Sequence, residues 1–180
     1  MINRVELFPS TFLNLQVDPN ACRNILSEIE QQKDSMKIIS NAIQQQSTSD
    51  YITDYGSPTK LEWFEKIWNQ AVVEEFKEMG IKVSLVCYWT AIYNHNAIHL
   101  KHTHRSGYLD PTNYSGILYL SNIGKTTFYS PNHTSTISEH DYESSFANMV
   151  LFPSTIIHEV KPHANDGNER YVVSFNAVVE

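Results

Sequence analysis

No apolar run in the 180-residue chain reaches the ~18 positions that a membrane-crossing helix needs, so a helical span is not expected. Cysteine is nearly missing. Cys22 sits in a helical pattern and Cys87 in an apolar strand pattern, and two such residues argue for buried free thiols rather than a disulfide framework. Basic residues are also few: 13 Lys and Arg stand against 20 Asp and Glu, a net charge of −7. Without a basic face the chain cannot neutralise a phosphate backbone, so nucleic acid is not expected as a partner. A small anion held by one or two placed cations is still allowed. Met1-Ile2-Asn3-Arg4 leads straight into a strand-like pattern rather than a signal peptide, which makes the cytoplasm the expected location. Histidine is absent from the first 94 residues, and all eight copies lie between positions 95 and 163.

The chain has ordinary globular composition, with hydrophobic residues at 41% and charged residues at 18%. Its length suits one domain over 1–180, with strand and helical support in 1–80 and a barrel in 81–180. Val5–Pro9 and Thr11–Leu15 read as two extended pieces, the second alternating Phe12 and Asn14 against Leu13 and Leu15. Asp18-Pro19 opens a helix over 19–32, carrying the stripe Cys22, Ile25, Leu26 and Ile29. Thr59-Lys60-Leu61-Glu62 has the form of a capping box for a second helix. That helix carries Leu61, Phe64, Trp68, Val72 and Phe76 and stops at Gly80; its stripe reads as packing against a sheet. From residue 82 the pattern changes to strands, expected at 82–93, 97–104, 114–121, 125–129, 148–152, 155–160 and 169–179. Turn signals such as Asn122-Ile123-Gly124 and Pro153-Ser154 separate them. The pattern implies a mainly β fold, a jelly-roll or related barrel with two N-terminal supporting helices.

Within the histidine-rich half, His102 and His104 are two apart, so on a strand both rings leave the same face. Two imidazoles side by side in an apolar interior repel when protonated, and a metal resolves the conflict by binding both as neutral ligands. His158, at the end of a second apolar strand, is the third candidate. His99, three before His102, should point away from the pair. His95, His133, His140 and His163 lie in turn-like segments and read as ordinary surface residues. On the last strand Arg170, Val172, Ser174 and Asn176 share one face. If that face is internal, the guanidinium needs an anion: either a bidentate carboxylate ligand or an acidic side chain such as Glu159 or Glu169.

Leu151-Phe152-Pro153-Ser154…His158-Glu159-Val160…Arg170…Ser174-Phe175-Asn176 resembles the C-terminal signature of iron(II)- and 2-oxoglutarate-dependent oxygenases. The small bacterial and phage group, similar to the prolyl-hydroxylase class, is nearest. Upstream, His102-Thr103-His104, Tyr114–Ser121, Gly124-Lys125-Thr126-Thr127-Phe128 and Leu7-Phe8-Pro9-Ser10 are similar to the same family. The resemblance implies a double-stranded β-helix, Fe(II) as cofactor and 2-oxoglutarate as cosubstrate, and hydroxylation of a small-molecule or peptidyl substrate. It implies His102 and His158 as iron ligands, and Arg170 and Tyr119 as partners of the far carboxylate of 2-oxoglutarate. Ser174 and Asn176 are the further cosubstrate candidates, although Ser174 follows Arg170 at +4 where some relatives have +2. The departure is His104, which stands where the family carries Asp or Glu. A three-histidine site, or a carboxylate from Asp110, would complete the ligand set; the spacing favours His104. Two other readings use the same residues: a cupin-like metalloprotein without 2-oxoglutarate, and a metal-free jelly-roll binding protein. Substrate contacts are expected from loops 34–57, 105–113 and 130–147, the first a long surface segment with a short strand near Tyr51-Ile52-Thr53. The oligomeric state is left open, a homodimer included.

Overall fold

A computed structural model describes residues 2–7, 10–39, 51–94, 96–104, 112–130, 139–163 and 167–180. Among the described residues, twelve strands form two antiparallel sheets. The larger holds β1 (Ile2–Leu7), β2 (Ser10–Gln16), β10 (Asn148–Pro153), β7 (Tyr114–Tyr119), β12 (Arg170–Val179), β5 (Val83–Tyr93), β4 (Tyr51–Thr53) and β3 (Lys37–Ile39), in that spatial order. The smaller runs β6 (His99–His102), β11 (His158–Val160), β8 (Lys125–Tyr129) and β9 (Glu139–Glu143). This is the expected mainly β double-stranded β-helix with two supporting helical stretches.

Alternation along the large sheet separates two cores. Leu13, Leu15, Leu118, Met149, Leu151, Val173 and Phe175 face the helices. Phe12, Ile117, Tyr119, Val150, Phe152 and Val172 face the small sheet, where they meet Phe128 and Val160. At the centre of β7 the backbone of Gly116 lies under the Phe175 ring, so a Cβ there would stand 2.1 Å from its Cζ. The first helix, α1 (Pro19–Gln32), starts as expected, with Asp18 Oδ1 accepting from the Asn20 N–H at 3.0 Å. Ala21, Cys22, Ile25 and Ile29 are its buried face.

The second helical stretch departs from expectation at its start. It comprises α2 (Glu62–Ile67), a π-helical segment (Trp68–Val72) and α3 (Val73–Glu78). Its N-cap is Leu61, and Thr59 instead donates its N–H to Asp54 Oδ2 at 2.8 Å. Tertiary partners replace the local cap. The Leu61 N–H donates to the Tyr88 hydroxyl at 3.0 Å, and the Trp63 N–H to Glu28 Oε2 of α1 at 3.3 Å. Gly80, at φ 72°, ends the stretch as expected. Neither cysteine is in a disulfide; Cys22 is buried and Cys87 exposed.

Other differences lie in the weakly apolar segments. The short strand expected near Tyr51-Ile52-Thr53 forms as β4 and pairs with both β3 and β5, and the unexpected part of the polar stretch 34–57 is the edge strand β3; residues 40–50 lie outside the description. β9 occupies part of the segment expected as loop 130–147, and His140 therefore sits on a strand. Its sequence Glu-His-Asp-Tyr-Glu lacks apolar alternation because it is an edge strand, joined to β8 by the Lys125–Asp141 ion pair. Residues 105–111 and 131–138, with Asp110, His133 and most of both remaining loops, lie outside the description, as does His95. Among the described residues no helix is long and apolar enough to cross a membrane.

Candidate metal centre and anion pocket

Pairing of β6 with β11 sets His158 directly opposite His102. His104 follows just beyond β6, where its backbone N–H donates to the Ser154 carbonyl at 3.1 Å. The three rings converge through their Nε2 atoms. His104 Nε2 lies 3.2 Å from that of His102 and 3.1 Å from that of His158. Nitrogens bound about 2.1 Å from one metal at right angles stand about 3 Å apart, so the spacing suits neighbouring positions on one ion. The opposite ring nitrogens are occupied. His102 Nδ1 faces the Leu100 carbonyl at 2.7 Å, His158 Nδ1 the Ile156 carbonyl at 3.0 Å, and His104 Nδ1 the Asn176 Oδ1 at 2.9 Å. Each acceptor holds the proton on Nδ1 and leaves the Nε2 lone pair for a cation.

Burial keeps all three rings neutral. It lowers the His102 pKa below the ordinary 6.5 and that of His158 well below it. For His104, burial followed by repulsion from His102 pushes the value down to about 4. Three neutral, preoriented nitrogens with no acidic proton to displace form a ready donor set for a divalent first-row metal. No other cluster of three or more ligating side chains meets the same criterion among the described residues.

His99 overturns its expected direction. Its ring stacks on His102 at 4.0 Å, with 13° between planes, and its Nδ1 lies 3.1 Å from the Tyr93 hydroxyl. The cause is a register irregularity. His102 pairs with His158 and His99 with Val160, three steps on one strand against two on the other. The extra residue breaks the alternation that would have turned His99 outward.

Arg170, at the start of β12, is 1% exposed. Its Nε donates to Ser144 Oγ at 3.1 Å and one Nη to Thr126 Oγ1 at 2.7 Å. The other, Nη1, has no hydrogen-bond partner among the described residues. The two acids that could have neutralised it are engaged elsewhere: Glu169 with Lys33 and Tyr171, Glu159 with Tyr129 and Lys161. No ion pair to Arg170 exists among the described residues. Its charge instead rests near the rings of Tyr93 and Tyr119, at 5.4 and 5.6 Å from their centroids. Burial lowers the Arg170 pKa, and the neighbouring tyrosines oppose that shift. Tyr119 is fully buried and donates its hydroxyl to Thr126 Oγ1 at 3.0 Å. Burial pushes its pKa up to about 12.

A cavity of about 20 Å³ is lined in common by the three histidines and by Arg170, Thr126 and Ser174. Above it opens a pocket of about 310 Å³, walled by Tyr51, Tyr55, Trp89 and Thr103 and floored by His102 and His104. The expected residues are therefore brought together, with one change of place. Asn176 sits against His104 rather than beside Arg170. Sequence reasoning missed Thr126, Ser144, Tyr93 and Trp89. Thr126 was within reach, because it shares strand parity with the core residue Phe128.

No protein-family model and no curated protein matches the chain. Solved structures do match. A Pseudomonas putida prolyl-4-hydroxylase is 17% identical at TM-score 0.64, over 93% of this chain and 91% of that one. A Burkholderia pseudomallei member of the 2OG-Fe(II) oxygenase family is 11% identical at TM-score 0.61, over 85% and 78%. The viral collagen prolyl hydroxylase of Paramecium bursaria Chlorella virus-1, in its 2-oxoglutarate complex, is 11% identical at TM-score 0.62, over 92% and 94%. The fold is that of the iron(II)- and 2-oxoglutarate-dependent oxygenases. At these identities the oxygenase fold alone is shared, and any activity has to be argued from the chain's own residues.

Proposed function

We propose that the chain is an Fe(II)/2-oxoglutarate-dependent oxygenase, a hydroxylase of a small-molecule or peptidyl substrate, working in the cytoplasm. The observation that carries this reading is the unpaired Nη1 of buried Arg170, in the cavity that three converging imidazoles also line. A buried guanidinium without a carboxylate is costly and invites an anionic ligand. A metal facing it across one cavity invites a ligand with a chelating group at its other end. A keto diacid meets both demands, which counts against the cupin-like reading. Converging, neutral Nε2 atoms likewise count against the metal-free one.

His102, His104 and His158 would hold the metal, with His104 taken as third ligand. Iron bound there supplies the redox chemistry that couples decarboxylation of 2-oxoglutarate to succinate with oxidation of the substrate. The chain does the rest. Arg170, steadied by Ser144 and Thr126, anchors the far carboxylate through Nη1; Tyr119 holds Thr126 in place, and Ser174 lines the same wall. A cavity of about 20 Å³ holds little beyond one water molecule, so the cosubstrate has to displace a side chain. His99, fixed only by stacking and one hydroxyl contact, is the residue best able to yield. The aromatic pocket above the metal would then exclude water and hold the substrate. The prolyl hydroxylases that share the fold support a peptidyl substrate among the options.

Incubation with Fe(II), ascorbate, oxygen and 2-oxoglutarate tests the reading. Succinate should form, and His158→Ala should lose both succinate formation and stoichiometric metal. Absence of succinate from metal-replete wild-type protein, with and without candidate peptides, would return the chain to the cupin-like class.

A further inference from the structure

We infer that Asn176 is the positioning residue that makes His104 a metal ligand, by fixing which of its ring nitrogens carries the proton. This rests on His104 being the third ligand. His102 and His158 need no side chain for this purpose, since the main-chain carbonyls two residues before each, Leu100 and Ile156, hold their Nδ1 protons. His104 has no such carbonyl on Nδ1; its acceptor is the Asn176 side-chain oxygen at 2.9 Å. A carboxylate at this position would need no tautomer selection. An imidazole does, because an Nε2–H tautomer would aim a proton at the metal.

The amide is itself oriented. Ser115, fully buried, donates its hydroxyl to the same Asn176 Oδ1 at 2.9 Å, a second contact that holds this oxygen toward His104. The strand geometry supports the placement. β12 pairs regularly with β5 from Arg170 to Asn176, and the register shifts immediately after Asn176. The extra residue, Val86, lies on β5, so β12 keeps its own alternation and Asn176 stays on the same face as Arg170 and Ser174. Trp89, on β5, stacks over the His104 ring at 5.3 Å between centroids and closes its other side. Backbone, ring face and Nδ1 of His104 are thus each held by a different element, and only the Asn176 contact decides the tautomer.

The test reads the tautomer directly and the metal separately. In metal-free, ¹⁵N-histidine-labelled protein near neutral pH, two-bond ¹H–¹⁵N correlation should find His104 in the Nδ1–H form. Asn176→Asp, which keeps an acceptor, should preserve that form. Asn176→Leu should move His104 toward Nε2–H and leave His102 and His158 unchanged. Co(II) affinity should then fall by about 10- to 100-fold in Asn176→Leu and hold in Asn176→Asp. An Nε2–H His104 in the wild type, or an Asn176→Leu protein that keeps both tautomer and affinity, would overturn the inference. Equal loss in both variants would also overturn it, since that is what a purely structural residue would produce. Wild-type protein with the Nδ1–H tautomer but no affinity for Co(II) would sustain the lock and overturn the metal reading instead.

Discussion

Arg170 carries a cost that the rest of the core does not explain. Among the described residues it is one of the largest fully buried side chains, it has no carboxylate partner, and its Nη1 is unpaired. Such a group destabilises the ligand-free protein, and the proposed anion would relieve that cost. Arg170→Met fills similar space without the charge. Its thermal unfolding should show stability unchanged or raised by up to about 2 kcal/mol. A loss of that size would mark Arg170 as a structural residue. At this scale the sequence was most informative where strand parity holds. Arg170, Ser174 and Asn176 were placed on one inner face, and the structure keeps them there. What parity could not give was the partner of each. Asn176 turns to His104, because the donor its oxygen meets depends on where β6 ends.

Elements were legible in proportion to their apolar content. The strands around Leu118, Val150 and Val173 fall where alternation put them, since each has a buried side on both faces of the sheet. β9 and β3 escaped, because edge strands are polar by necessity. The capping box failed for a related reason. Glu28 and Tyr88, distant in sequence, take over the first amides of the helix, and no local motif encodes that. β6 is the element with most consequence for chemistry. Its irregular pairing with β11 packs His99 against the triad, giving four imidazoles held neutral chiefly by burial, His104 at about 4 and His99 at about 3. In the unfolded chain these rings take up protons as pH falls through about 6.5, whereas the folded protein refuses them. Stability of the metal-free protein should therefore decline below that pH, by up to about 1.4 kcal/mol per pH unit for each ring that stays neutral. Urea denaturation at about pH 7 and about pH 5 checks this, with the lower midpoint expected at the acid pH. An unchanged or higher midpoint at acid pH would mean that the cluster is not buried as described.

At the scale of the molecule, the two sheets bring together residues that are far apart in sequence. β12 supplies Arg170 and Asn176, β8 supplies Thr126, and β6 with β11 supplies the histidines. The helices take no direct part; they cover the outer face of the large sheet and hold its strands in register. This architecture was legible as a class because the strand pattern and the family resemblance agree. The loops that would name a substrate were not, since loop residues answer to a ligand rather than to a core. The central claim is that one cavity joins a metal to an anion-binding guanidinium. Calorimetric titration of anaerobic Fe(II)-loaded protein with 2-oxoglutarate tests it most directly. One-to-one binding is predicted, weakened by about 100-fold or more in Arg170→Met. No binding, or binding indifferent to that substitution, would contradict it.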